Sequence, residues 1–103
     1  MDAKTARGLL DKYNLTKFQK DVLIVTAEIP KGETRTYKQI AIAAHRPRAY
    51  RAVGSAMRIN PLAPMIPCHR VVKSDGSLGS YSGRGGAKAK ERMLRQEGAW
   101  ARV

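Results

Sequence analysis

Cys68 stands in the run Pro67-Cys68-His69-Arg70, and it is the only cysteine in the sequence. A thiol beside an imidazole and a guanidinium can become a nucleophile. The imidazole takes the thiol proton directly or through a water, and nearby positive charge favours the thiolate. The competing reading is a small buried hydrophobe, which is how most free cysteines pack. Adjacency along the chain does not guarantee contact either, because successive side chains on a strand point to opposite faces. A third group can be sought near the C-terminus. Lys90, Met93, Leu94 and Glu97 follow at i, i+3, i+4 and i+7, one face of a helix. Glu97 therefore falls beside the apolar side, where an unpaired carboxylate is costly. Its partner is either His69, which completes a carboxylate–imidazole–thiol relay, or Arg92 or Arg95 at the helix rim.

A second set of residues reads as a charged surface. Arg48, Arg51, Ser55 and Arg58 recur at i, i+3, i+7 and i+10, which aligns three guanidiniums on one side of a helix from Pro47 to Arg58. Ala49, Ala52, Val53 and Ala56 fall on the other side, small enough for close packing. Such a face is either a nucleic-acid contact or a solvated helix surface.

The flanking sequence supplies the elements that must position these groups. A short helix over 4–13 places Leu9, Leu10 and Tyr13 together. Thr16 and Gln19 form a T-x-x-Q capping box, after which Phe18, Val22, Val25 and Ile29 mark one helical face up to Pro30 and Gly32. Thr34 to Thr36 reads as extended. Thr36 and Gln39 form a second box, opening a helix to Ala44. His45-Arg46-Pro47 then reads as a tight connection into the arginine-bearing helix, with Pro47 near its first turn. Arg70 to Val72 reads as a strand, Ser74 to Ser77 as a turn and Leu78 to Tyr81 as a return strand. Ala87 to Glu97 reads as a final helix capped by Gly98. The pattern predicts an α+β, mostly helical, winged helix-turn-helix domain with a small β-hairpin wing. Residues 1–15 form a short N-terminal extension and 16–103 the domain itself.

Composition narrows the setting. The 103 residues suffice for one domain, and 20 Lys and Arg against 8 Asp and Glu give a net charge of +12. That balance points to a polyanionic partner, most simply nucleic acid. No apolar run reaches membrane-spanning length and the N-terminus lacks a secretory signal pattern, so the expected location is intracellular, in cytoplasm or nucleoid, or in a nucleus. One Cys and two His are too few for a disulfide framework or a Cys-rich zinc site.

The heptapeptide Ile66-Pro67-Cys68-His69-Arg70-Val71-Val72 resembles the active-site signature of the 6-O-alkylguanine-DNA alkyltransferases, also called methylated-DNA–protein-cysteine methyltransferases. Thr36-Tyr37-Lys38-Gln39-Ile40-Ala41, Tyr50 to Met57, Asn60-Pro61, Ser74-Asp75-Gly76 and Gly79 to Gly83 occur in the same order as in that family. The resemblance runs from about Phe18 to Gly98. It implies a monomer that binds duplex DNA through the minor groove, flips an alkylated guanine out of the stack and transfers the alkyl group irreversibly to Cys68. His69 would be the base, Glu97 its orienting carboxylate, and Tyr37 the donor that neutralises the departing guanine. Arg51 would enter the stack, supported by Arg48, Arg58, Ser55 and Thr36. Pro67, the backbone at Val71, and Tyr81 and Ser82 would line the base pocket, and Asn60 would fix the loop before Cys68. On the residues alone, Tyr37 can equally be a helix-start aromatic and Asn60 an ordinary turn residue. No cofactor and no metal is implied.

Two departures from the family pattern carry expectations of their own. Members usually carry a further N-terminal α/β domain, whereas 17 residues precede Phe18 here, so a repair factor or a separate polypeptide is a candidate partner. The segment Ser82 to Gly86 is about two residues longer than usual and lies over the base pocket. Short alkyltransferase-like proteins, which bind alkylated guanine without transfer and recruit other factors, are the alternative, but they carry a different residue at the cysteine position. A plain winged-helix regulator is the third reading.

Overall fold

Both T-x-x-Q boxes form. Thr16 Oγ1 accepts from the Gln19 amide at 3.1 Å while Gln19 Oε1 accepts from the Thr16 amide at 2.9 Å. Thr36 and Gln39 repeat the exchange at 3.1 and 2.8 Å. Each box satisfies two donors that a helix start otherwise leaves open. The computed structural model describes residues 1–79, 81 and 85–99. In chain order these contain α1 (Ala3–Leu10), α2 (Lys17–Ala27), β1 (Arg35–Thr36), α3 (Tyr37–Ala43), α4 (Tyr50–Arg58), a 3-10 turn (Cys68–Arg70), β2 (Val71–Val72) and α5 (Gly86–Gln96). The described residues make a mostly helical small domain with a short parallel sheet. No helix among them is long and apolar enough to cross a membrane.

Helix α2 is the centre of the core. It packs against α1, α3, α4 and the 3-10 turn, and Val22, Leu23, Ile24 and Ala27 are all buried. Being surrounded, it also buries Leu23, Ile24, Thr26 and Ala27 off the stripe its spacing predicts, while on that stripe Val22 and Ile29 are buried and Phe18 and Val25 half-buried. Helix α1 joins this core through Ala6 and Leu10. It ends before Tyr13, which is exposed, so the expected Leu9–Leu10–Tyr13 side is not the packed one.

Two expectations are corrected. The arginine-bearing helix begins at Tyr50, not Pro47. Ala49 N donates to Arg46 O at 2.9 Å, closing a four-residue turn with Pro47 at its second position, a place its fixed φ suits. Arg48 therefore lies in the connection, and only Arg51 and Arg58 stand on α4. The packed side of α4 is Val53, Ala56 and Met57; Ala52 is exposed and Ala49 half-buried.

The hairpin wing is the second correction. A turn does form, with Lys73 N donating to Ser77 O at 2.9 Å. The expected return strand does not: residues 78, 79 and 81 carry no strand, and Gly79 takes a left-handed φ of +74°. Instead β2 pairs parallel with β1, Arg35 opposite Val71 and Thr36 opposite Val72. The crossover between them contains α3, α4 and the proline-rich loop, so the pairing brings the start of α3 beside the segment after Cys68.

Candidate functional site

Asn60 ties the proline-rich loop into a closed unit. Its Oδ1 accepts from Leu62 N at 3.0 Å and its Nδ2 donates to Ile66 O at 2.9 Å. The buried amide thereby satisfies polar groups at both ends of a loop too short to satisfy them itself. The loop delivers Pro67 and Cys68, both buried, to the 3-10 turn, with Cys68 only 3% exposed.

The turn places His69 beside α5. Gly98 adopts a left-handed φ of +70° just past the helix end, so Glu97 caps α5 and faces inward. His69 Nε2 lies 3.1 Å from Glu97 Oε2. Arg70 grips the same carboxylate with two bonds, Nε to Oε1 at 2.9 Å and a terminal nitrogen to Oε2 at 2.8 Å, and also donates to Ile29 O at 2.8 Å. The partner on the rim is thus Arg70, while Arg95 pairs with Glu91. Chiefly through Arg70, and further through His69, the Glu97 pKa is pulled down to about 2. Burial pushes His69 below its ordinary value, and the opposing Glu97 contacts do not reverse the shift. A neutral imidazole facing a carboxylate must donate through Nε2, which leaves Nδ1 as its basic nitrogen. Nδ1 is buried and has no hydrogen-bond partner among the described residues.

A further charged group sits on the apolar side of α5. Lys90 is fully buried, its Nζ donating to Val71 O at 2.6 Å and lying 5.8 Å from the centre of the Tyr37 ring. Burial lowers its pKa to about 8; negative charge at Cys68 opposes the fall and Lys73 adds to it. Tyr37 and Tyr81 are pushed above the usual phenol value, first by burial and then by negative charge at Cys68, with Arg58 opposing at Tyr37. Tyr81 also meets the His69 ring edge-on, centroids 6.4 Å apart. Gly79 is what lets Tyr37 in: a Cβ there would lie 2.7 Å from the tyrosine hydroxyl.

The structure thus links His69 to Glu97 and Tyr81, and Lys90 to Val71 and Tyr37, next to the turn that carries Cys68, with Asn60 and Pro67 in the loop before it. Arg48, Arg51, Ser55 and Arg58 are exposed; Arg58 shares a cleft with Tyr37, and Ser55 Oγ accepts from Arg58 at 3.2 Å. Thr36 is half-buried and its hydroxyl oxygen is engaged as a helix cap. Ser82 lies outside the described residues, as does most of the expected longer loop. Two participants escaped the sequence reading. Lys90 could have been found, because a lysine on the apolar face with Met93 and Leu94 must find an acceptor. Arg70 as the partner of Glu97 left no signal, since the contact spans 27 residues. Among the described residues, no three His, Cys, Asp or Glu side chains converge as metal ligands.

A family model described as 6-O-methylguanine DNA methyltransferase, DNA binding domain, matches residues 17–99. The chain is 50% identical over 96 residues to a methylated-DNA–protein-cysteine methyltransferase of Methanosarcina barkeri, covering 87% of this chain and 60% of the relative. Among solved structures, Mycobacterium tuberculosis OGT in complex with DNA superposes with a TM-score of 0.78 at 42% identity, over 84% of this chain and 52% of that one. S. pombe Atl1, in complex with damaged DNA containing O6-carboxymethylguanine, gives 0.67 at 30% identity, over 84% and 80%. The chain therefore spans 60% or less of the length of the transferases named here.

Proposed function

The chain belongs to the 6-O-methylguanine-DNA methyltransferase family, and from that premise we propose that it repairs DNA by moving an alkyl group from the 6-oxygen of guanine to its own Cys68. The observation that carries this reading is the Glu97–His69 hydrogen bond at the residue that follows a buried thiol in the chain, with the basic Nδ1 of His69 without a hydrogen-bond partner among the described residues. His69 takes the thiol proton, directly or through one water, and Glu97 holds the imidazole in the required tautomer. The sulfur attacks the alkyl carbon, a C–S bond forms, and the C–O bond breaks with its electrons passing to guanine. Tyr37 is protonated at neutral pH and so supplies the proton or hydrogen bond that the purine ring then needs. The proton lost by the thiol balances the one gained by the purine, so the sum is thioether plus guanine. No second turnover follows, because the thioether cannot leave.

Lys90 serves this reading as a positioning residue. It ties α5 to the Val71 backbone and sets its ammonium against the Tyr37 ring. Val71 O, proposed to face the base, keeps a second lone pair beside its bond to Lys90. Tyr81 and Pro67 supply the rest of the described pocket wall, and Asn60 its support. The α3–turn–α4 unit is the DNA-docking part, approaching a minor groove, with Arg51 taking the place of the flipped base and Arg48, Arg58, Ser55 and Thr36 at the backbone. Residues 16–103 are the reactive unit, supported by α1, acting as a monomer inside the cell. A lesion-binding role without transfer has one observation in its favour, the likeness to Atl1 over 80% of that shorter chain.

Intact mass after incubation with duplex DNA containing 6-O-methylguanine tests the assignment. Addition of one methyl per chain, lost in Cys68→Ser, is the expected result. Lesion-selective binding without a mass change overturns it in favour of the sensor, and indifference to the lesion overturns both.

A further inference from the structure

A cleft of about 200 Å³ opens next to the reactive cluster, lined by Tyr37, Tyr50, Gly54, Arg58 and Lys73. None of these is a carboxylate. Arg58 ends α4 and Lys73 follows β2, so two cations from distant parts of the chain face one space. Lys73 makes no hydrogen bond or ion pair through its ammonium among the described residues, and the Asp75 carboxylate accepts from Ser77. Tyr50 adds an exposed aromatic surface held by Lys38, whose ammonium lies 5.7 Å from the ring centre. Gly54 contributes no side chain, and a Cβ there would meet nothing within 4 Å, so the space stays open.

Size and charge together select the occupant. Pockets for whole small molecules start near 300 Å³, so this cleft is small for a complete nucleotide. A phosphodiester is small enough, needs cations without a competing carboxylate, and brings an apolar sugar edge for an aromatic ring. We propose that the cleft is a phosphodiester seat: Arg58 and Lys73 hold one backbone phosphate of the strand whose base reaches Tyr37, and Tyr50 packs against the adjoining deoxyribose. The proposal rests on the DNA-binding half of the reading above and is independent of alkyl transfer. Tyr50 and Lys73 act here as binding and positioning residues for the strand.

The test uses the whole chain, first with lesion-free duplex DNA. For Lys73→Gln, the slope of log affinity against log salt falls by about 0.9, the value for one lost phosphate contact. Neutral methylphosphonates are then placed singly along a strand carrying one 6-O-methylguanine, which fixes the register, with Cys68→Ser as the parent protein. One position weakens the parent about three- to tenfold and weakens the parent carrying Lys73→Gln by a smaller factor, because only Arg58 still faces that phosphate. Tyr50→Ala loses affinity, while Tyr50→Phe, which keeps the ring, retains it. An unchanged salt slope, or additive effects of Lys73→Gln and the methylphosphonate at every position, overturns the seat. So does competition by inorganic phosphate at constant ionic strength with no position dependence, which assigns a free-anion site instead. If wild type binds no duplex, the DNA-binding reading itself falls; if it binds and only the cleft variants are silent, the seat alone falls.

Discussion

The reactive cluster and the arginine surface are built on opposite physical terms. His69 and Lys90 are almost inaccessible, and their partners Glu97 and Val71 lie 28 and 19 residues away in sequence. Arg48 and Arg51 stand exposed, and their guanidiniums hold no partner among the described residues. In the first region the fold has lowered each group's pKa and fixed its direction by removing it from water. In the second it has left the groups long, charged and free to meet whatever arrives. Changes in the cluster should therefore disturb stability and chemistry together, whereas changes on the surface should disturb binding alone.

That contrast can be broken most directly at Glu97. Glu97→Gln keeps the shape but removes the charge shared by His69 and Arg70, so transfer to Cys68 should slow by about 10²-fold or more, read as a mass-spectrometric time course. The wild-type carboxylate also ties stability to acid. Its folded pKa near 2 lies below its ordinary 4.5, so the stabilisation is complete above 4.5 and is lost as pH falls towards 2. Glu97→Gln should flatten that part of a thermal-melting pH profile; an unchanged profile would mean that the carboxylate is not held as described.

Lys90 comes next. Lys90→Ala leaves the Val71 carbonyl without its donor and opens a void, a loss of about 3 kcal/mol in urea unfolding. Its folded pKa near 8 lies below the ordinary 10.5, so wild-type stability should rise between those two pH values. Lys90→Met should remove the rise. On the other side of the comparison, Arg51→Ala should weaken DNA binding about tenfold and leave the urea midpoint within about 0.5 kcal/mol of wild type. A large stability loss there would erase the distinction between the two regions. The smallest effect belongs to Thr36→Ala, about 1 kcal/mol from the lost cap, measured by the same unfolding.

The same division explains what could be read from the amino acids alone. The capping boxes, the face shared by Lys90 and Glu97, and the exposed character of Arg51 and Arg58 are local patterns, written within one or two helical turns. The start of α4 was misplaced because Pro47 is as acceptable in a four-residue turn as in a first helical turn, and the Arg46–Ala49 bond decides between them. The return strand expected over 78–81 is missing from the described residues for another reason. Val71 and Val72 have a strand's composition, but their partner strand is Arg35–Thr36, and nothing local marks a parallel pairing across two intervening helices. Distance along the chain also hid the grip of Arg70 on Glu97. The candidate site was legible where its residues announce their chemistry, and illegible where only tertiary packing chooses among partners.

The two bonds of Asn60 have a mechanical consequence. They fasten the end of α4 to the residues that carry Cys68, turning the intervening loop from a hinge into a strut. If α4 docks and Cys68 reacts as proposed, two groups joined this way resist a change in their separation when DNA arrives. The duplex is the softer component, with bending and unstacking available for a few kcal/mol. Under the proposed transfer, compliance would therefore lie in the DNA: the base would travel to the sulfur, and a base already weakened in its pairing would travel most easily. Loosening the strut, as Asn60→Ala would, hands part of that compliance back to the protein and blurs the preference.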